Sequence, residues 1–169
     1  NIRYHAEWGG GSIYDVGCYP INAARYLLGR EPKAVTVQAF FSPEHDNVDM
    51  MATGLIEFPN HIGLTFMCGM WADFQNTFQI LGTDGKIEIP SAFLVHSTEQ
   101  AHFTVTVKGE TRTEKSPEIN HYTAQVDEFA ESILNGIPLR FPAEDAILNM
   151  KVIDGCLKSA RERRRVVLN

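Results

Sequence analysis

Apolar residues in this chain recur first at every third or fourth position, then at every second, then again at every third or fourth. Ile13, Val16, Ile21, Ala24, Leu27 and Leu28 follow the first rhythm, which predicts a helix from Ile13 to Leu28 with one buried stripe. Ser12 is placed to cap its start and Gly29 to stop it. Pro20 falls inside this run and has no N–H to return to the carbonyl of Val16, so the helix is expected to kink or restart there.

The middle of the chain has the two-residue period of strands. Ala34 to Ser42, Met51 to Phe58, Ile62 to Met70, Thr77 to Gly82, Lys86 to Pro90 and His102 to Val107 are short and rich in β-branched and aromatic residues. Pro59-Asn60 and Asp84-Gly85 read as tight turns between antiparallel neighbours. In the third run Ile62, Leu64, Phe66 and Cys68 point to one face, and Gly63, Thr65, Met67 and Gly69 to the other. The first run divides the same way, Val35, Val37 and Ala39 against Thr36, Gln38 and Phe40. One face is core. The other is neither charged nor fully apolar, which suits a sheet covered by a partner subunit, although a solvated Thr-rich face is the commoner arrangement.

Two helices are expected to close the chain, roughly Tyr122 to Asn135 and Ala143 to Arg164. The second has Ala146, Met150, Ile153 and Leu157 as its stripe, acids in its first turn and arginines in its last. A helix, a run of strands and two more helices imply an α+β fold: an open, mainly antiparallel sheet with helices packed on one face. There is no internal repeat or low-complexity linker, and 169 residues suit one domain.

Composition narrows the partners. A net charge of −6 leaves no cationic footprint for nucleic acid, and Arg161 to Arg165 ends a helix, where cations complement the dipole. No apolar run approaches the ~20 residues of a membrane span. Cys18, Cys68 and Cys156 are odd in number and set in apolar runs, so they read as buried thiols of a cytoplasmic protein. His5, His45, His61, His96 and His102 have no metal-ligand spacing, and no metal is expected.

The candidate chemistry lies where the first helix begins. Gly9, Gly10 and Gly11 allow close backbone approach, and Asp15 and Tyr19, four apart, fall on one helix face with Cβ atoms ~5–6 Å apart. Such pairs are common on exposed helix faces, so spacing alone favours an ordinary polar pair.

The run GGGSIYDVGCYPINAARYLLG resembles the glycine-rich segment and following helix in the second domain of the Gfo/Idh/MocA oxidoreductases. TFQILGTDGKIEIP resembles that family's strand, turn and strand, and NHYTAQVDEFAESILNGIPLRFPAEDAILNMKVIDGCLKSARERRRVVL its closing helices. The resemblance implies that residues 1–169 are a substrate-binding and dimerisation C-terminal domain, lacking its first strand, of a two-domain NAD(P)-dependent enzyme. Such an enzyme passes hydride between nicotinamide and a sugar or related polyol. The same resemblance assigns Tyr19 as proton donor and acceptor and Asp15 as an orienting group. A tyrosine of ordinary pKa ~10 needs a nearby cation to serve as base near neutrality, and the family supplies a lysine from its first domain.

This chain has neither a G-x-G-x-x-G fingerprint nor a Glu-Lys-Pro motif. NAD or NADP is therefore expected to be bound mainly by an N-terminal nucleotide-binding domain not present here, and these residues alone to be inactive. Trp71 and Phe93 are candidates for a wall against a sugar ring. Asn22 and Tyr26 continue the Asp15 and Tyr19 face, and His121 and Tyr122 stand near a helix start. A homodimer or higher homo-oligomer through the sheet face is the expected assembly. The competing function is a non-catalytic sugar-sensing or protein-interaction member of the same fold; a hydrolase is disfavoured because no G-x-S-x-G nucleophile motif occurs.

Overall fold

A computed structural model describes residues 1–95 and 100–168. His96 lies outside the described residues. The fold is α+β, built from open antiparallel sheets and helices; among the described residues there are three α-helices, and the strands divide between two sheets of four. Two compact units result, residues 1–73 with 141–168, and Phe74–Arg140.

In the first unit, β1 (Ala34–Phe41), β2 (Asp49–Glu57), β3 (Gly63–Gly69) and β8 (Val166–Val167) lie in the order β3-β2-β1-β8. The register sets Thr36 opposite Leu55 and Leu55 opposite Thr65, so alternate residues of three strands share a face. Val35, Val37, Ala52, Ile56, Phe66 and Cys68 form the buried face. Thr36, Gln38, Phe40, Met51, Thr53, Leu55, Thr65 and Met67 stand exposed on the other. Both faces follow the two-residue alternation of the sequence, except that Ile62, just before β3, is exposed.

The buried face is covered by the first helical run and by α3 (Ala143–Glu162). The first run begins as a π-helical turn over Ile13–Gly17 and continues as α1 (Cys18–Leu28), ending at Gly29. Pro20 sits in the first turn of α1, and the wider turn just upstream is where the chain absorbs the donor that Pro20 lacks. The expected stripe is corrected at one point: Leu27 is exposed, while Arg25 is buried. The Arg25 guanidinium is satisfied by both oxygens of Glu31 at 2.8 Å and by Asp145 Oδ1 at 2.8 Å, so a charge can replace an apolar group there. In α3 only the C-terminal half is buried, through Val152, Ile153, Cys156, Leu157 and Ala160; Ala146 and Met150 of the expected stripe are exposed.

The second unit is the sheet β4 (Phe78–Leu81), β5 (Gly85–Ile89), β6 (His102–Val107), β7 (Glu110–Lys115) in sequential order, with α2 (His121–Asn135). The sequence ETRTEK of β7 has no apolar face, and every residue of it is exposed, which is why alternation does not reveal it. Its pairing with β6 follows the Lys108-Gly109 turn. The helix α2 starts on an Asn120 side chain that accepts from the Tyr122 and Thr123 amides, and Tyr122, Val126, Phe129 and Ile133 form an exposed apolar stripe along it.

Candidate functional site

The chain enters the first unit through two short 3-10 turns, Ile2–Tyr4 and Ala6–Trp8, and the glycines then fold it back on itself. Gly9 N–H donates to the Ala6 carbonyl, Gly10 N–H to that of His5 at 3.0 Å, and Gly11 N–H to that of Arg3 at 3.0 Å. A Cβ on Gly10 would lie 2.6 Å from the Arg3 carbonyl oxygen and 2.7 Å from that of His5. Gly11 has φ +118°, and a Cβ there would overlap Asp49 Oδ1.

The doubled-back segment brings Arg3 to the helix start. Arg3 Nε donates to Asp15 Oδ2 at 2.6 Å, with the Asp15 side chain 30% exposed. The guanidinium is held firmly protonated, first by that hydrogen bond and the Asp15 charge, with smaller contributions from Tyr19 and Tyr4. Tyr19 itself is half exposed. Asp15 and Tyr19 therefore share an open surface with an arginine that no spacing rule links to them, since it precedes Asp15 by twelve residues in an aperiodic segment.

A second residue missed by the sequence reading lies beneath. Asp49, at the start of β2, is 1% exposed and its Oδ2 accepts from Ser12 Oγ and from the Ile13 amide, both at 2.7 Å. Burial pushes its carboxyl above the ordinary carboxylate range, and the hydrogen bonds from Ser12 and Ile13 oppose that rise without cancelling it. Its only sequence signal was an acid at the start of an apolar strand.

The other candidates are spread over both units. Asn22 lines a groove of about 450 Å³ with Tyr14, Cys18, Phe141 and Met150, and neither Asp15 nor Tyr19 belongs to that lining. Tyr26 packs its ring 5.6 Å from that of Phe141. Trp71 is half exposed, its ring 5.7 Å from Phe40 and 5.6 Å from His45, which in turn lies 4.6 Å from Tyr4. An aromatic row thus runs from Trp71 to the residue beside Arg3. Phe93, His121 and Tyr122 belong to the second unit, Phe93 edge-on to Phe78 and His121 against Tyr122 at 4.1 Å. The three thiols are free; burial raises Cys18 and pushes Cys68 up to about 11 and Cys156 to about 12.

The glycine loop does not fit a coenzyme phosphate. Its three amides are already spent on chain carbonyls, and a buried carboxylate stands behind Gly11, whereas a phosphate cradle needs free N–H groups and a positive field. Among the described residues there is no group of three or more His, Cys, Asp or Glu able to hold a metal ion, and no helix long and apolar enough to cross a membrane.

Residues 3–168 match the family described as oxidoreductase family, C-terminal alpha/beta domain (GFO_IDH_MocA_C). The chain is 31% identical to the D-xylose 1-dehydrogenase (NADP(+)) 2 of Haloferax volcanii, over 100% of this chain and 51% of that protein. The crystal structure of aldose-aldose oxidoreductase from Caulobacter crescentus, complexed with glycerol, superposes with a TM-score of 0.83 at 28% identity, covering 95% of this chain and 48% of the other. KijD10, a 3-ketoreductase from Actinomadura kijaniata in complex with NADP and TDP-benzene, shares the fold with a TM-score of 0.85 at 23% identity, covering 94% and 49%. The chain spans about half the length of the curated relatives it matches.

Proposed function

The chain belongs to the Gfo/Idh/MocA oxidoreductase family as its C-terminal alpha/beta domain, and we propose on that premise that it is the substrate-binding and dimerisation part of an NAD(P)-dependent enzyme acting on a sugar or related polyol. The observation that carries this reading is the cluster of Arg3, Asp15 and Tyr19 on an open surface at the helix start. A xylose dehydrogenase and an aldose-aldose oxidoreductase among the relatives support the substrate class.

Oxidation of a carbinol needs a proton removed from the hydroxyl as hydride leaves carbon. The nicotinamide, held outside these residues, supplies the hydride chemistry, and the glycine loop takes no part in holding it. This chain's contribution is the proton and the alignment. Tyr19 Oη exchanges the proton with the substrate hydroxyl, and Asp15, fixed by Arg3, orients the substrate by hydrogen bonding. Arg3, paired to Asp15, holds that carboxylate in place at the helix start, and a cation contributed by the nucleotide-binding half is what a tyrosine base near neutrality needs. The open apolar stripe of α2 is consistent with a domain that is completed by further protein.

The test is turnover by the full-length protein with a panel of aldoses, polyols and trans-dihydrodiols, followed by absorbance of the reduced nicotinamide. Tyr19→Phe is expected to lower kcat by about 10²–10⁴-fold, the span of general acid–base catalysis. Full activity in that variant overturns the role of Tyr19. Silence of the wild-type protein across the panel, with coenzyme still bound, overturns the enzymatic reading.

A further inference from the structure

We infer that Asp49 is a positioning residue for the proposed site, the anchor that fixes the helix start bearing Asp15 and Tyr19; this rests on the function proposed above. The argument begins with what the helix start lacks. The Ser12 side chain makes no capping bond to its own helix, and the first amides of any helix need acceptors. Asp49 fills that need from another strand. One of its oxygens, Oδ2, takes both the Ser12 hydroxyl and the Ile13 amide at 2.7 Å, while the other lies against Gly11 so closely that no side chain fits between.

All three partners are buried or closely packed, Ser12 and Ile13 at 0% exposure. Cys68 of β3 adds a contact, its sulfur 3.6 Å from Ser12 Oγ. The anchored residues are two and three positions before Asp15, which itself returns its amide to the Gly11 carbonyl at 3.1 Å. Gly11 in turn holds the Arg3 carbonyl. Asp49 is thus bonded or packed to the first residues of the helix and to the loop that delivers Arg3, so displacement of its carboxylate moves both sides of the Arg3–Asp15 pair. A misplacement of ~1 Å in a site of this kind lowers turnover by about 10²-fold.

The geometry also names the replacement that preserves the function. Both 2.7 Å hydrogen bonds fall on a single oxygen, so asparagine, with one acceptor oxygen, keeps them, while alanine keeps neither these nor the support that the Ser12 and Asp49 amides also give the carboxylate. Ser12→Ala removes one bond and leaves the Ile13 amide held, a milder variant that folds if Asp49→Ala does not.

The experiment uses full-length protein and two readouts. Steady-state kinetics are expected to give a loss of about 10²-fold in kcat for Asp49→Ala, with KM for coenzyme unchanged, a smaller loss for Ser12→Ala, and near wild-type kcat for Asp49→Asn. Hydrogen exchange is expected to show residues 11–17 opening faster in Asp49→Ala and Ser12→Ala, with β1 and α3 keeping their protection. Exchange that rises uniformly through the first unit, or kcat unchanged with residues 11–17 loosened, overturns the positioning role. Tyr19→Phe runs as the control for the parent reading: full activity there sinks the proposed chemistry, while the exchange data still judge the anchor.

Discussion

The Arg3–Asp15 pair lies half in water, and exposed ion pairs contribute little to stability because solvent screens them and ordering two side chains opposes them. Its consequence is therefore local. Arg3→Gln is expected to leave Tm nearly unmoved in a thermal melt while, on the function proposed above, lowering kcat by roughly an order of magnitude through loss of alignment at Asp15. A fall in Tm matched by unchanged kcat would make the pair a structural one. Asp49 behaves in the opposite way. Its folded carboxyl titrates above the unfolded value of ~3.9 because burial disfavours the charge. The stability it contributes is therefore full when protonated, below that unfolded value, and is lost as pH climbs through the raised folded one. Thermal melts from acid to neutral pH should show Asp49→Asn gaining on the wild-type protein as pH rises; a constant difference in Tm would place the folded carboxyl at its ordinary value.

At the scale of elements, the join between α1 and α3 depends on Arg25, whose side chain is 3% exposed and which reaches Glu31, Asp145 and Asn149. Removing it strands the Asp145 carboxylate and leaves a void at the helix pair. Arg25→Ala is expected to destabilise by about 3 kcal/mol, the low end for broken buried pairs because both acids remain partly in water. That corresponds to roughly 6–12 °C in Tm for a chain of this size. The helical rhythm from Ile13 to Leu28 and the alternation in β1 and β3 were legible because burial on one face writes itself into residue spacing. The exception at Arg25 was not, since its partners lie six and one hundred and twenty residues away. Strand β7 is polar throughout, and β8 is a two-residue pairing to Ala34 and Val35; neither has a period to read. Asp15 and Tyr19 came from a motif, whereas Arg3 was hidden because the glycine loop brings it to the helix, and Asp49 because strand β2 does; no spacing links either to the motif.

At the scale of the whole molecule, the outer face of the first sheet is the surface suited to a second copy of the chain. Pairing register places Phe40 beside Met51, Leu55 between Thr36 and Thr65, and Met67 beside Thr53, all on the side away from the helices. Phe40, Met51, Leu55 and Met67 are each 38–65% exposed, with uncharged Thr36, Gln38, Thr53 and Thr65 among them. Apart from Glu57 at the end of β2, ion-paired to Arg165, this face carries no charge on three adjacent strands, which matches the centre of a protein interface, where charged residues are depleted, better than a solvated surface. A self-complementary contact across it would give a two-fold dimer. Met67, the most exposed of the four, is the place to test it, because a glutamate there faces water in the monomer at little expense but would bury a charge in the dimer. Met67→Glu is expected to halve the mass seen by light scattering without changing the circular dichroism spectrum. Unchanged mass in the variant, or a wild-type protein already monomeric, would leave this face to solvent.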